Sequence, residues 1–175
     1  MRETTTPVHA ATGRIEDPAR GVAFEVGSCA LQLVGCDAVD VYVYDEPTDS
    51  YVSVACLEPG AIRDPGAPVS SESASAIVRH STPVAAFESA ADMYGPLAQE
   101  AARLGAASTL VIRCDRGPRA LGLLMCAFAR PRQVDAGDER NALALARIVA
   151  MTLDYARRTS VALDRADRLA TLLDT

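Results

Sequence analysis

The sequence has 175 residues, of which 49% are hydrophobic, 23% charged and 5% aromatic, as expected of one folded globular domain. It contains no run of about 18 apolar residues and no apolar N-terminal signal segment, so neither a membrane span nor a secretory leader is predicted. A net charge of −6, from 17 basic and 23 acidic side chains, argues against direct binding of nucleic acid.

A helix and a β-hairpin are predicted for the first third of the chain. Asp17 can cap a helix whose first turn holds Pro18, and Gly35 ends the apolar helical spacing that follows. Valine alternates with aspartate and tyrosine over Ala38–Asp45, which indicates a strand with one apolar face. The apolar segment Tyr51–Leu57 is predicted to be the returning strand of the hairpin.

The middle of the chain is less regular. Three prolines and two glycines predict mostly loop over Glu58–Val69, and a short helix is expected to follow and to reach Arg79. Thr82–Phe87 is compatible with a short strand. A further helix is predicted to start at Pro96 and to end at Gly105.

A second hairpin and a long helix complete the chain. Ala106–Cys114 and Arg119–Ala129 are apolar strands joined by a tight turn, and residues 138–175, which lack glycine and proline, predict one helix about 55 Å long that Asp135 can cap. One stripe of this helix is expected to cover the sheet: Leu143, Ala146, Ala150 and Leu153. A second stripe, at heptad spacing, is expected to pair with a partner helix, with a fraying tail as the alternative: Leu145, Val149, Thr152, Ala156, Thr159, Leu163, Ala166, Ala170 and Leu173.

The five cysteines are odd in number and include no C-x-x-C pair, which predicts reduced thiols and a cytoplasmic location. Cys29, Cys56 and Cys126 stand among apolar residues and are expected to be buried. Neither His9 nor His80 has a cysteine at ligand spacing, so no metal and no cofactor are predicted. With so few histidines, no Ser-His-Asp arrangement is expected either.

This order of elements resembles a GAF domain over Asp17–Arg158. The parts that carry the resemblance are the two hairpins, the segment Thr82–Gly105 and the exit Arg130–Tyr155 that leads into an alanine-rich helix. The resemblance implies an α+β fold with a central antiparallel sheet of about six strands, terminal helices on one face, and the middle loops and short helices on the other. It also implies a tail over 1–16, a domain over 17–158 and a helical extension over 159–175; PAS domains, the nearest competing fold, are usually shorter.

In GAF domains a pocket lies between the sheet and the middle segments, and the resemblance implies that a small molecule can bind there. The candidate ligand-binding residues are Ser71, Ile77, Phe87, Met93, Tyr94 and Leu97, each of which could equally be plain core. The last four surround Gly95-Pro96 and are predicted to form a mobile cover, with the Tyr94 hydroxyl as its polar contact. Motifs of the subtypes that bind cyclic nucleotides, bilins or haem are not found, since lysine is absent and His80 is better placed to cap a helix.

The resemblance implies a cytoplasmic sensory or regulatory module that forms a homodimer through its terminal helices and passes a signal to an output domain, such as an antitermination domain that regulates transcription. No catalytic residue is predicted. One alternative is a thiol enzyme similar to free methionine-(R)-sulfoxide reductase, for which Cys114, flanked by Arg113 and Arg116, is the best candidate. A ligand-free interaction module is the other alternative.

Overall fold

The structure is a computed structural model that describes residues 18–79 and 81–173, with side-chain surroundings for 21–79 and 81–162. The described residues do not include the tail over 1–16, the cap at Asp17 or His80. The last four positions of the heptad stripe lie beyond the range whose side-chain surroundings are described. The elements, in chain order, are α1 (Pro18–Val34), β1 (Ala38–Asp45), β2 (Ser50–Glu58), β3 (Ala61–Arg63), β4 (Val69–Ser70), α2 (Ser71–Ile77), β5 (Val84–Phe87), a 3₁₀ turn (Ala90–Asp92), α3 (Gly95–Arg103), β6 (Ser108–Arg116), β7 (Arg119–Phe128) and α4 (Ala136–Leu173). Among the helices of the described residues, none combines the length and the hydrophobicity of a membrane-spanning segment.

The strands form one antiparallel sheet in the order β3-β2-β1-β7-β6-β5, with β4 paired to β2. Both predicted hairpins and the sheet of about six strands are confirmed. The proline-rich segment is mostly loop, as predicted, but it also contains the short strand β3 and the first residue of β4. Each is held by a few ladder hydrogen bonds to β2 and is too short to leave a pattern in the sequence.

Alternation along the strands sends side chains into two separate cores. Val39 and Val41 pack with α1 and α4 on one face of the sheet, where Leu145 and Val149 also lie. Tyr42, with the buried side chains of α2 and α3, belongs to the core of the opposite face. We call this opposite face, together with α2, α3 and the loop between β3 and β4, the cover side.

The long helix α4 is present, but its apolar stripes are arranged differently from the prediction. Leu145 and Val149, assigned to a partner helix, are buried in the protein's own core, whereas Leu143, assigned to the sheet, is 36% exposed. The reason is that α1 packs beside α4 on the same face of the sheet, so α4 buries two adjoining stripes against its own chain. The prediction that Cys29 is buried is also wrong: it lies on the exposed surface of α1.

The start of α4 follows the sequence expectation. The Asp135 carboxylate accepts hydrogen bonds from the backbone N–H groups of Gly137 and Asp138, at 2.7 and 2.8 Å. These bonds lower the pKa of Asp135 from its ordinary value, since they favour the charged carboxylate. Asp135 therefore caps the helix by satisfying amides that lack a partner within it.

Candidate functional site

The predicted ligand-binding residues fall into two groups in the structure. Ile77, Phe87, Met93 and Leu97 share the core of the cover side, where Leu97 is fully buried and Met93 is 7% exposed. The hydroxyl of Thr109, on β6, lies 2.9 Å from the Met93 sulfur. These four side chains thus form one apolar layer over the sheet.

Ser71 and Tyr94 lie outside that layer. Ser71 is the first residue of α2 and lines a groove of about 750 Å³ between the hairpin of β6 and β7 and α4. Tyr94 is 56% exposed, and its hydroxyl donates a hydrogen bond of 2.9 Å to the backbone carbonyl of Ala76. That bond connects the start of α3 to α2, so Tyr94 joins the two cover helices in this structure.

A polar cluster that the sequence analysis did not identify lies beneath the cover. Asp40, in the middle of β1, is fully buried, and its Oδ1 accepts a hydrogen bond of 2.5 Å from the Ser53 hydroxyl. The Ser53 oxygen accepts in turn from the backbone N–H of Gly66, at 2.9 Å. The second carboxylate oxygen, Oδ2, has no hydrogen-bond partner.

The other members of the cluster come from β2 and α3. Cys56 stands directly opposite Asp40 in the β1–β2 ladder, so the two side chains are neighbours on the same face of the sheet. Glu100 follows Leu97 by three residues and is therefore turned inward on α3, where it is only 5% exposed. One oxygen of Asp40, one oxygen of Glu100 and the Cys56 sulfur all lie within 4.8 Å of one another.

Arg103 balances part of this negative charge. Its Nε and Nη2 donate to the two carboxylate oxygens of Glu100, at 2.8 and 2.5 Å, and its Nη2 also lies 3.5 Å from the Cys56 sulfur. The distance from Arg103 to Asp40 Oδ2 is 3.9 Å. Arg103 thus forms a forked pair with Glu100 and leaves Asp40 with only a distant cation.

Burial and crowding of like charges disfavour ionisation in the cluster. Burial, reinforced by the nearby Glu100, raises the pKa of Asp40 to about 7, although the Ser53 hydrogen bond acts in the opposite direction. Burial also raises the pKa of the Cys56 thiol and of the Tyr42 hydroxyl, which is fully buried and lies beside Asp40. The neutral forms of these groups are therefore favoured over a wide pH range.

Cys114, the best candidate of the thiol-enzyme alternative, does not have a reactive environment. Strand alternation turns its thiol into the core under α1 and α4, where complete burial raises its pKa well above the ordinary value. The neighbouring arginines are engaged with carboxylates, since Arg113 pairs with Asp115 at 2.7 Å and Arg116 pairs with Asp154. Cys114 therefore lacks the exposed, electropositive surroundings that the thiol-enzyme alternative requires of it.

The comparisons with known proteins show similarity in fold. No family model and no curated protein matches the chain. The blue-light-absorbing form of the PixJ GAF domain from Thermosynechococcus elongatus matches with a TM-score of 0.64 and 16% identity, over 89% of this chain and 97% of that chain. The GAF domain of an Acinetobacter phosphoenolpyruvate-protein phosphotransferase gives 0.57 and 14%, over 82% and 95% of the two chains.

Free methionine-R-sulfoxide reductase from Neisseria meningitidis, solved in complex with its substrate, matches with a TM-score of 0.61 and 15% identity, over 82% of this chain and 81% of that chain. GAF domains of two other proteins and an enzyme thus share this architecture, which leaves function to be argued from the residues of the site. The order of the strands, the helices on both faces and these structural matches establish that the chain has a GAF-like fold.

Proposed function

We propose that this protein is a sensory or regulatory module that binds a small molecule on the cover side of the sheet and works as a homodimer in the cytoplasm. The observation that carries the proposal is that alternate side chains of β1 belong to the two cores on opposite faces of the sheet. Val39 and Val41 pack against the terminal helices, while Asp40 and Tyr42 belong to the cover side. A ligand bound near Asp40 is therefore one residue away from the helices that would transmit its presence.

The proposed dimer uses an exposed apolar face of α4. Ile148, Met151 and Tyr155 are 57%, 65% and 73% exposed, and they follow one another at steps of three and four residues. Such spacing places them on one face of the helix, as in a two-helix seam. A second copy of the chain offers the same face, and pairing the two would remove this apolar surface from water.

Introduction of a negative charge on this face tests the dimer. Ile148→Glu and Tyr155→Glu are expected to convert a dimer into a monomer, because each would place a buried carboxylate at the centre of the seam. Ile62→Glu is the matched control, since Ile62 is 70% exposed on β3 and lies at the far edge of the sheet. Light scattering that finds a wild-type monomer at high micromolar concentration would refute the dimer.

The proposed pocket lies between the sheet and the two cover helices and is lined by the apolar layer. Ile77, Phe87, Met93 and Leu97 would contact the body of the ligand, with Ser71 and Tyr94 at the margins. Native mass spectrometry of the purified protein is expected to show an added small mass that disappears after denaturation. A spectrum that contains the protein mass alone would favour an interaction module without a ligand.

We propose that the protein is not an enzyme. The thiol of Cys114 is buried, and the exposed Cys29 lies on α1, on the opposite side of the sheet from the cover. Incubation with methionine-(R)-sulfoxide and a dithiol reductant is therefore expected to yield no methionine. Turnover that is lost in a cysteine variant would overturn this part of the proposal and favour the thiol enzyme.

We further propose that α4 carries the signal toward an output domain or partner protein, in a system that regulates transcription. The helix runs for 38 residues, whereas its last buried side chain is Ala156 among the residues whose surroundings are described. Deletion of residues 159–175 should therefore leave the thermal unfolding midpoint nearly unchanged. A large drop in that midpoint would show that the extension belongs to the folded core.

A further inference from the structure

We propose that Asp40, Cys56 and Glu100 form a binding site for a divalent cation of the zinc type. This proposal does not depend on the proposed function. The three side chains come from three different elements, β1, β2 and α3, and all are buried. One ligand atom from each lies within 4.8 Å of the other two, so small adjustments bring them to a common ion.

An unpartnered polar atom at the centre supports the assignment. Asp40 is fully buried, yet its Oδ2 has no hydrogen-bond partner, and the nearest cation, Arg103, lies 3.9 Å away. Buried polar atoms in this state are costly, and proteins rarely retain them without a partner, a water or an ion. A cation between Asp40, Cys56 and Glu100 would satisfy Asp40 Oδ2 directly.

The charges of the cluster fit a divalent ion. As anions, Asp40, Glu100 and Cys56 carry three negative charges, and Arg103 contributes one positive charge. A divalent cation therefore offsets the two negative charges that Arg103 leaves uncompensated. Because one of the three ligands is a thiolate, the set favours zinc-like ions over magnesium and calcium, which prefer oxygen ligands alone.

Arg103 is the competitor for this space. Its Nη2 lies 3.5 Å from the Cys56 sulfur and therefore occupies part of the volume that the ion would take. The side chain is 35% exposed, so its guanidinium can move outward into solvent while Glu100 turns one oxygen toward the ion. Loss of the Arg103 side chain should consequently strengthen binding, which a purely structural role of the cluster would not predict.

Cobalt(II) is the probe for this site, because a cobalt–thiolate bond gives a charge-transfer absorption that oxygen ligands do not produce. The full chain, freed of metals by a chelator that is then removed, is titrated with cobalt chloride. We expect one equivalent to bind with a charge-transfer band, and zinc chloride to displace it. Wild-type protein without that band would overturn the proposal.

Variants identify the ligands. Cys56→Ser should abolish the charge-transfer band, Asp40→Asn and Glu100→Gln should each weaken cobalt binding by about tenfold or more, and Arg103→Ala should tighten it. Cys29→Ser is the matched control, since that exposed thiol lies on the other side of the sheet and its loss should change nothing. A band that survives in Cys56→Ser, or disappears in Cys29→Ser, would place the ion elsewhere and refute this site.

A second measurement separates loss of the site from loss of the fold. Zinc should raise the thermal unfolding midpoint of the wild type and of Arg103→Ala, and should leave that of Cys56→Ser unchanged. Circular dichroism identifies any variant that fails to fold. Equal stabilisation of wild type and Cys56→Ser by zinc would contradict the proposal even if cobalt binds.

Discussion

Gly66 lies directly against Asp40. A Cβ atom built on Gly66 would come within 2.5 Å of Asp40 Oδ2 and within 2.8 Å of the Glu100 carboxyl carbon. The Gly66 N–H also donates to Ser53, which holds the other oxygen of Asp40. The absence of a side chain at this position is therefore what lets the loop between β3 and β4 close over the buried carboxylates.

Replacement of Gly66 by alanine should lower the free energy of unfolding by about 1–3 kcal/mol, the usual cost of overpacking, because the methyl group meets two buried carboxylates. Gly21→Ala is the control: a Cβ there meets nothing within 4 Å, and alanine favours the helix. Urea denaturation measures both. Equal stability of Gly66→Ala and wild type would show that the loop does not rest on the cluster as described.

The raised pKa of Asp40 predicts an unusual dependence of stability on pH in the metal-free protein. Burial comes first among its causes, and the groups facing Asp40 are Glu100 and Arg103 from α3, Cys56 from β2, and Tyr42 on its own strand. The pKa of Asp40 is about 7 in the folded protein, whereas its ordinary value, which applies to the unfolded chain, is 3.8. Between pH 3.8 and pH 7 the folded state therefore binds more protons than the unfolded state. The contribution of protonated Asp40 to the free energy of unfolding is fully present at low pH and is lost as the pH rises toward 7.

Asp40→Asn provides the comparison, because asparagine does not titrate. From pH 4 to pH 7.5, with chelator present, the wild type should lose up to about 4 kcal/mol of unfolding free energy relative to Asp40→Asn, at about 1.4 kcal/mol for each pKa unit. Because the other titrating groups are the same in both proteins, their contributions cancel in the difference between the two unfolding free energies. A difference that is constant with pH would mean that Asp40 is already ionised at low pH.

Much of the fold was predictable because it depends on local periodicity. The alternation in Ala38–Asp45 assigned the two faces of β1 correctly, and Asp135 marked the start of α4. Periodicity alone could not show that α1 packs beside α4, so Leu145 and Val149 were assigned to a partner although they contact their own chain. Cys29 was misplaced because the apolar residues around it did not show which side of α1 faces solvent.

The candidate site was less predictable because it depends on tertiary register. Asp40 in an otherwise apolar strand was a usable signal, since a carboxylate facing inward needs a partner. Its neighbours are far away in the sequence, and only the pairing of Asp40 with Cys56 and the packing of α3 bring Glu100 to it. A search for ligand residues within about ten positions of one another therefore misses this cluster, because Asp40, Cys56 and Glu100 are much further apart in the sequence.

Thiol labelling is expected to distinguish Cys29 from the other cysteines. Cys29 is exposed, whereas Cys36, Cys56, Cys114 and Cys126 are buried. Burial also raises the pKa of the Cys114 thiol, so the reactive thiolate is scarce there. Brief treatment of the native protein with a maleimide should add one label at Cys29, and five labels should appear in urea; rapid native labelling of Cys114 would contradict its buried position.

Hydrogen exchange tests whether the predicted cover is mobile. Segment Glu88–Gly95 has few backbone hydrogen bonds to the rest of the protein, among them that of Ala90 to Ala107 at 2.8 Å. Segment Leu121–Phe128 lies in β7, between β1 and β6, and is bonded on both sides. Amide protons in the first segment should therefore exchange much sooner than those in the second.

The hydroxyl of Tyr94 gives the exchange experiment a sharper form. Its hydrogen bond to the Ala76 carbonyl connects α3 to α2, and Tyr94→Phe removes only that bond. We expect the variant to speed exchange further in Glu88–Gly95, by about fivefold for a bond contributing about 1 kcal/mol, and to leave Leu121–Phe128 unchanged. Equal protection of the two segments in the wild type would mean that Met93 and Leu97 hold a rigid plug over the sheet, in which case no ligand enters by way of this cover.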